Sequence, residues 1–145
     1  MSDDQKQVLQ AADDLVAAYA EGRLNDYFTT FAPDATFVFH TAEQRIESVA
    51  EYRRVMARWV LEDGFRVLNC LSYDRMVQLW GDTAVFTHSV ETRISTDAGE
   101  ETLNERETIV FRREADGRWL GVHEHLSPAA VTPLGPDRPV PGERE

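Results

Sequence analysis

The stretch ETIVFRREADGRWLGVHEHLSP, residues 107–128, decides how this chain folds. Two runs that alternate apolar and polar residues flank Asp116-Gly117, a dipeptide suited to a tight hairpin turn. Successive side chains of a β-strand point to opposite faces, so His123 and His125 share one face and Glu124 takes the other. Leu120, Val122 and Leu126 mark the inner face and carry Glu124 with them. Trp119, Gly121, His123 and His125 are then expected to look outward. On the preceding run Leu103, Ile109 and Phe111 share a face with Glu105 and Glu107, opposite Asn104, Arg106, Thr108 and Arg112.

The same alternation extends one strand back. Phe86, Val90 and Ile94 alternate with Thr87, Ser89, Glu91 and Arg93, which puts His88 on the inner face. If the Asp116-Gly117 turn sets the register, Ile109 lies across from Glu124. The next hairpin then places His88 beyond Ile109 in the same row, with Glu107 diagonal to both His88 and Glu124. A carboxyl in an apolar pocket has a raised pKa, and a neighbouring histidine or second carboxylate tunes it toward proton transfer near neutral pH. Glu124, Glu107 and His88 are therefore the candidate catalytic groups. The alternative is that these carboxylates pair with arginine, or serve only binding or solubility.

Upstream, the pattern is helical. Ser2 and Gln5 have the spacing of a capping box, Val8, Ala12, Leu15 and Tyr19 recur on one face, and Gly22 offers the stop. Leu24, Tyr27, Phe28 and Phe31 form a second short stripe closed at Ala32 by Pro33. ATFVFH, residues 35–40, reads as a short strand, and Ser48 with Glu51 caps a third helix ending at Asp63-Gly64. Long strands are expected over 65–80, 82–96, 100–114 and 118–126. Residues 1–128 thus form one α+β domain, and the proline-rich segment 129–145 is expected to be an extended tail.

Composition narrows the function classes. The net charge is -11, with 26 acidic against 15 basic residues and no basic run, which argues against a nucleic-acid partner. There is no glycine-rich phosphate loop, no apolar run of membrane-spanning length and no hydrophobic leader, so a cytoplasmic protein without a membrane partner is expected. Cys70, the single cysteine, lies in the apolar VLNCLSY and reads as a small buried hydrophobe.

Three helices cupped in a curled sheet leave a conical space that side chains fill incompletely. Tyr19 and Tyr52 carry hydroxyls that need partners if buried, and with Phe86, Val90, Glu105 and Leu126 they are the candidate pocket residues. His123 and His125 have three readings: metal ligands, pocket lining or subunit contact. An H-x-H pair supplies two ligands where a metal needs three or four, and LSPAAV downstream adds none, so no metal is expected. Trp119 beside them points to a second buried face, with Arg106, Thr108, Trp119, His123 and His125 meeting an identical subunit.

The order of elements, with Glu107-Thr108, Val110-Phe111, Arg113, Gly117, Trp119, Val122, His123, His125 and Ser127, resembles the nuclear transport factor 2-like superfamily. Within it the likeness is to SnoaL-like members and the association domain of calcium/calmodulin-dependent protein kinase II. The resemblance implies a cone-shaped α+β barrel, three N-terminal helices packed on a curved antiparallel sheet, commonly a dimer through the outer sheet face. It does not choose an activity. The Asp–Tyr–Asp set of the isomerases and the Asp–Arg–Asp set of the epoxide hydrolases are not matched here. Val90 and Leu126 stand where the kinase association domain is expected to carry basic groups. The function expected is a homodimer that binds a small apolar organic molecule and acts, without cofactor, as an acid–base isomerase or cyclase. The alternative is a non-catalytic oligomerisation module.

Overall fold

A computed structural model describes residues 1–130. Helix α1 (Asp3–Ala20) starts at the Ser2–Gln5 capping box, with both reciprocal hydrogen bonds formed. A short α2 (Leu24–Thr29) follows, then strand β1 (Phe31–Phe39), helix α3 (Val49–Asp63) and strands β2 (Arg66–Trp80), β3 (Thr83–Thr96), β4 (Gly99–Arg113) and β5 (Trp119–Pro128). Gly64 terminates α3 in the left-handed conformation, φ 65°, as Asp63-Gly64 suggested. The expected tail falls mostly on 131–145, outside the described residues. Before it, the Ala129 N–H still donates to the Asn104 carbonyl, 2.9 Å.

The elements form one curved, unclosed sheet in the order β1-β5-β4-β3-β2, with the helices on its concave side. Two features depart from the sequence reading. Phe31 belongs to β1 and not to the second helix; Pro33 halts the helix early and is accommodated at a register shift between Phe31 and Thr36. β1 also pairs parallel to β5, Phe37 opposite Glu124, so the otherwise antiparallel sheet is mixed.

The β3–β4 hairpin turns through Asp97-Ala98, with Thr96 paired to Gly99, and its register carries unbroken to Thr83–Arg112. Phe86 therefore faces Ile109, and His88 faces Glu107 directly, two residues away from the row first expected. In the β4–β5 hairpin Ile109 does face Glu124.

That agreement conceals a correction. Phe111 pairs with Gly121 but Val110 pairs with His123, so Val122 is an extra, unpaired residue. This bulge reverses the face assignment of the first half of β5. Trp119 and Gly121 are buried and inward, whereas Leu120 and Val122 are only partly buried. Trp119 is thus withdrawn from the outer face. Its ring lies under the Arg113 guanidinium, 5.1 Å from centroid, and its Nε1–H donates to Gln7 on α1, 3.3 Å. Gly121 is required by proximity: a Cβ there would stand 2.6 Å from the Phe31 ring.

The core centres on Phe37, Phe86, Phe111, Ile46, Ile109, Met56 and Val8, all essentially inaccessible. An aromatic group of Tyr27, Phe28, Phe31, Phe37, Phe39 and Tyr52, with edge or tilted contacts of 4.6 to 5.9 Å, joins α2, β1 and α3.

Candidate functional site

Alternation along β3, β4 and β5 brings His88, Glu105, Glu107 and Glu124 to the concave face. His88, Glu105 and Glu124 are among the few buried polar residues, 4%, 4% and 3% exposed. With Tyr19 from α1, Tyr27 from α2 and Tyr52 from α3 they surround a chamber of about 60 Å³. The chamber shares Tyr19, Thr41, Trp59, Thr92, Glu105 and Leu126 with a wider mouth of about 430 Å³.

Hydrogen bonds order the floor. His88 Nε2 meets Glu107 Oε1 at 2.6 Å and its Nδ1 meets Ser72 Oγ at 2.6 Å, so both ring nitrogens are engaged. Ser72 fixes the imidazole, and the imidazole fixes Glu107. On the opposite wall the Tyr27 and Tyr52 hydroxyls share a 2.9 Å bond, and Tyr27 reaches Glu124 Oε1 at 3.5 Å. At the neck Glu105 is held by His40 Nε2, 2.5 Å.

Electrostatics divides the carboxyls. Glu124 is held well above the ordinary carboxylate range, first by burial and then by the charge of Glu107, whose carboxyl it meets. The Tyr27 hydroxyl opposes this in part. Glu105 is also raised by burial, against the pull of its bond to His40. The Tyr19, Tyr27 and Tyr52 hydroxyls are raised chiefly by burial, then by the Glu124 charge, and stay protonated as donors. Burial pushes the Cys70 thiol up to about 11, so it is a wall group rather than a nucleophile. Burial and the neighbouring carboxyl thus favour the protonated form of Glu124, beside a Glu107 that is held by His88.

Of the residues expected from sequence, Glu124, Glu107, His88, Tyr19, Tyr52, Val90, Glu105 and Leu126 converge on the chamber. Phe86 does not: it is fully buried beneath His88, ring centroids 4.6 Å apart, and belongs to the core. Tyr27 and His40 were missed. The hydroxyl argument applied to Tyr19 and Tyr52 holds equally for Tyr27, whereas His40 reaches Glu105 across 65 residues of sequence and left no local signal. On the outer face Arg106, Thr108 and His125 border one groove, and His123 Nδ1 bonds Thr36 Oγ1, 2.8 Å. Burial and the His125 charge lower the His123 pKa. Among the described residues no three His, Cys, Asp or Glu side chains converge as a metal site.

Comparison with known proteins agrees with this architecture. A SnoaL-like domain model matches residues 8–131. A ketosteroid isomerase-like protein from Erwinia carotovora atroseptica superposes with TM-score 0.75 at 17% identity, covering 90% of this chain and 100% of that one. The CaMKII hub of S. rosetta gives 0.67 at 26% identity, covering 86% and 95%. A nuclear transport factor 2-like superfamily protein from Salmonella enterica gives 0.72 at 13%, covering 92% and 96%. Among curated proteins no match was found.

Proposed function

Because the chain belongs to the SnoaL-like domain family, whose fold hosts unrelated activities, we propose from the site itself that the cone binds a small, largely apolar organic molecule and moves a proton on it without a cofactor. The observation that carries this reading is the juxtaposition of a Glu124 that favours its protonated form with Glu107, inside a chamber to which Leu15, Val16, Phe39, Val90 and Leu126 contribute apolar walls. In an isomerisation or cyclisation Glu107, positioned by His88 and Ser72, accepts a proton from a carbon acid. Glu124 and the Tyr27–Tyr52 pair donate hydrogen bonds to the oxygen on which charge develops, and the proton returns at a second carbon. The likeness to a ketosteroid isomerase-like protein supports the fold for such chemistry and not its substrate.

The test is exchange of carbon-bound hydrogen for deuterium, followed by NMR across a panel of cyclic ketones and enones. Exchange is expected with the parent chain and is expected to fall about 100-fold or more in Glu107→Gln, the usual worth of a positioned base. Exchange equal in parent and variant sinks the reading.

A homodimer through the outer sheet face completes the proposal. Leu71, Tyr73, Met76 and Trp80 on β2 are 50 to 59% exposed, an apolar row on a single strand. It extends the surface bordered by Arg106, Thr108 and His125, with His123 beside it, which the sequence suggested as the subunit contact. The same row favours the second reading, a non-catalytic assembly module, and the likeness to a CaMKII hub is of that kind. Loss of exchange in Glu107→Gln separates the two.

A further inference from the structure

Exchange of a ligand's carbon-bound hydrogen for solvent hydrogen needs a path from Glu107 to water. The chamber meets the mouth at a neck of Tyr19, Thr41, Trp59, Thr92, Glu105 and Leu126, and a ligand lying across that neck stands between Glu107 and the solvent outside.

A second route starts from the hydrogen bonds of Glu107 itself. Its Oε1 meets His88 Nε2 at 2.6 Å, and His88 Nδ1 meets Ser72 Oγ at 2.6 Å. The His88 side chain has no exposed surface. Ser72 does not line the chamber; it lies on β2, the strand at the edge of the sheet, and is partly exposed. The chain of bonds thus begins at the candidate base, crosses a fully buried ring and ends at a serine with access to solvent.

Every member of this chain can both donate and accept. A neutral imidazole carries hydrogen on one nitrogen and a lone pair on the other, a hydroxyl does both, and a carboxyl changes role with its protonation. The same geometry therefore admits two senses. In the first, Glu107 is a carboxylate, the ring carries its hydrogen on Nε2, and the Ser72 hydroxyl donates to Nδ1. In the second, Glu107 is a carboxylic acid that donates to Nε2, and Nδ1–H donates to Ser72 Oγ. Passing from the second to the first, Glu107 gives its proton to Nε2, Nδ1 gives its own to Ser72 Oγ, and Ser72 releases its former hydroxyl proton to water. The reverse passage takes one proton in, and neither requires the ring to turn.

We propose that His88 and Ser72 form a proton relay between Glu107 and solvent, in addition to orienting that carboxyl. This rests on Glu107 being the base of the proposed reaction. It gives Ser72, which stands outside the chamber, a part in the exchange of the ligand's hydrogen.

The test compares Ser72→Val with Ser72→Thr in the full chain. The two side chains have the same shape, but only threonine keeps a hydroxyl, and the valine methyl keeps water out of its place. Nitrogen-resolved NMR without ligand follows exchange of the His88 ring N–H with water. In Ser72→Val this exchange is expected to be slower than in the parent by at least about tenfold, a lower bound on the worth of a positioned proton-transfer group. Ser72→Thr is expected to restore the parent rate. A serine that only orients the ring predicts the opposite sign, because loss of its bond frees the imidazole and speeds exchange. Exchange in Ser72→Val as fast as in Ser72→Thr, or faster, overturns the relay and leaves Glu107 as base intact. If the valine variant does not fold, Ser72→Ala against the parent gives the same comparison. Ketone exchange equal in the parent and in Glu107→Gln removes the proposed reaction whatever the imidazole does, so the two failures are distinguishable.

Discussion

Glu124 shows how a single letter acquires its role from its neighbours. Because its carboxyl is raised, the folded chain holds that proton more tightly than the unfolded chain does. The associated stability is complete below the ordinary carboxylate range and is lost as pH rises through the folded-state value. Glutamine is neutral at every pH and escapes that loss. Glu124→Gln is therefore expected to match the parent near about pH 4 and to exceed it in stability by about 1–3 kcal/mol once the parent carboxyl ionises, the usual cost of a buried polar group forced into its poorer state. Thermal denaturation of both proteins across this range checks it; a constant difference at all pH values contradicts the shift. Parity along β5 exposed Glu124 and the pairing of β4 exposed Glu107, because a period of two survives in the letters. His40 did not emerge, since its partnership with Glu105 exists only once β1 lies beside β5.

At the level of elements, the bulge at Val122 shows where letter patterns fail. Val122 is apolar and alternates with Leu120, so a uniform strand predicts both inward and Trp119 outward. The extra residue inverts that half, and only the hydrogen-bonded register reveals it. Distal to the bulge, alternation was correct, which is why the carboxylates were placed and Trp119 was not. Deleting Val122 restores a regular ladder and forces either Trp119 and Gly121 or Glu124 and Leu126 to exchange faces. A loss of more than about 3 kcal/mol is expected, comparable to emptying a large aromatic from a core. Chemical denaturation measures it, and a near-neutral deletion would show that β5 tolerates either parity. Helices α1 and α3 were read more completely than β1, because caps and glycine stops are local signals whereas parallel pairing is not.

For the whole molecule, the two faces of the sheet differ in chemistry. The concave face encloses titratable groups, and the convex face leaves Leu71, Tyr73, Met76 and Trp80 in water. Tyr73→Glu/Trp80→Glu is expected to convert a dimer to a monomer in light scattering while leaving thermal stability within about 0.5 kcal/mol, as exposed substitutions do. A parent chain that is already monomeric at micromolar concentration removes the outer face from consideration. Helical and strand order, and hence the cone, were legible from periodicity; the chamber's walls depended on contacts between distant segments and were legible only in part.

The parallel pairing of β1 with β5 also sets an order of events. Thr36 meets His123 across 87 residues, so the strand synthesised last is the one inserted between the sheet's two oldest and newest neighbours, β1 and β4. A nascent chain that has reached Arg118 holds both flanking strands but not β5, the strand that joins them. Closing so long a loop is slow relative to local hairpins. The carboxyl pair therefore exists only once β5 lies between β1 and β4, and a chain cut at Arg118 is left with Glu107 beside an open seam.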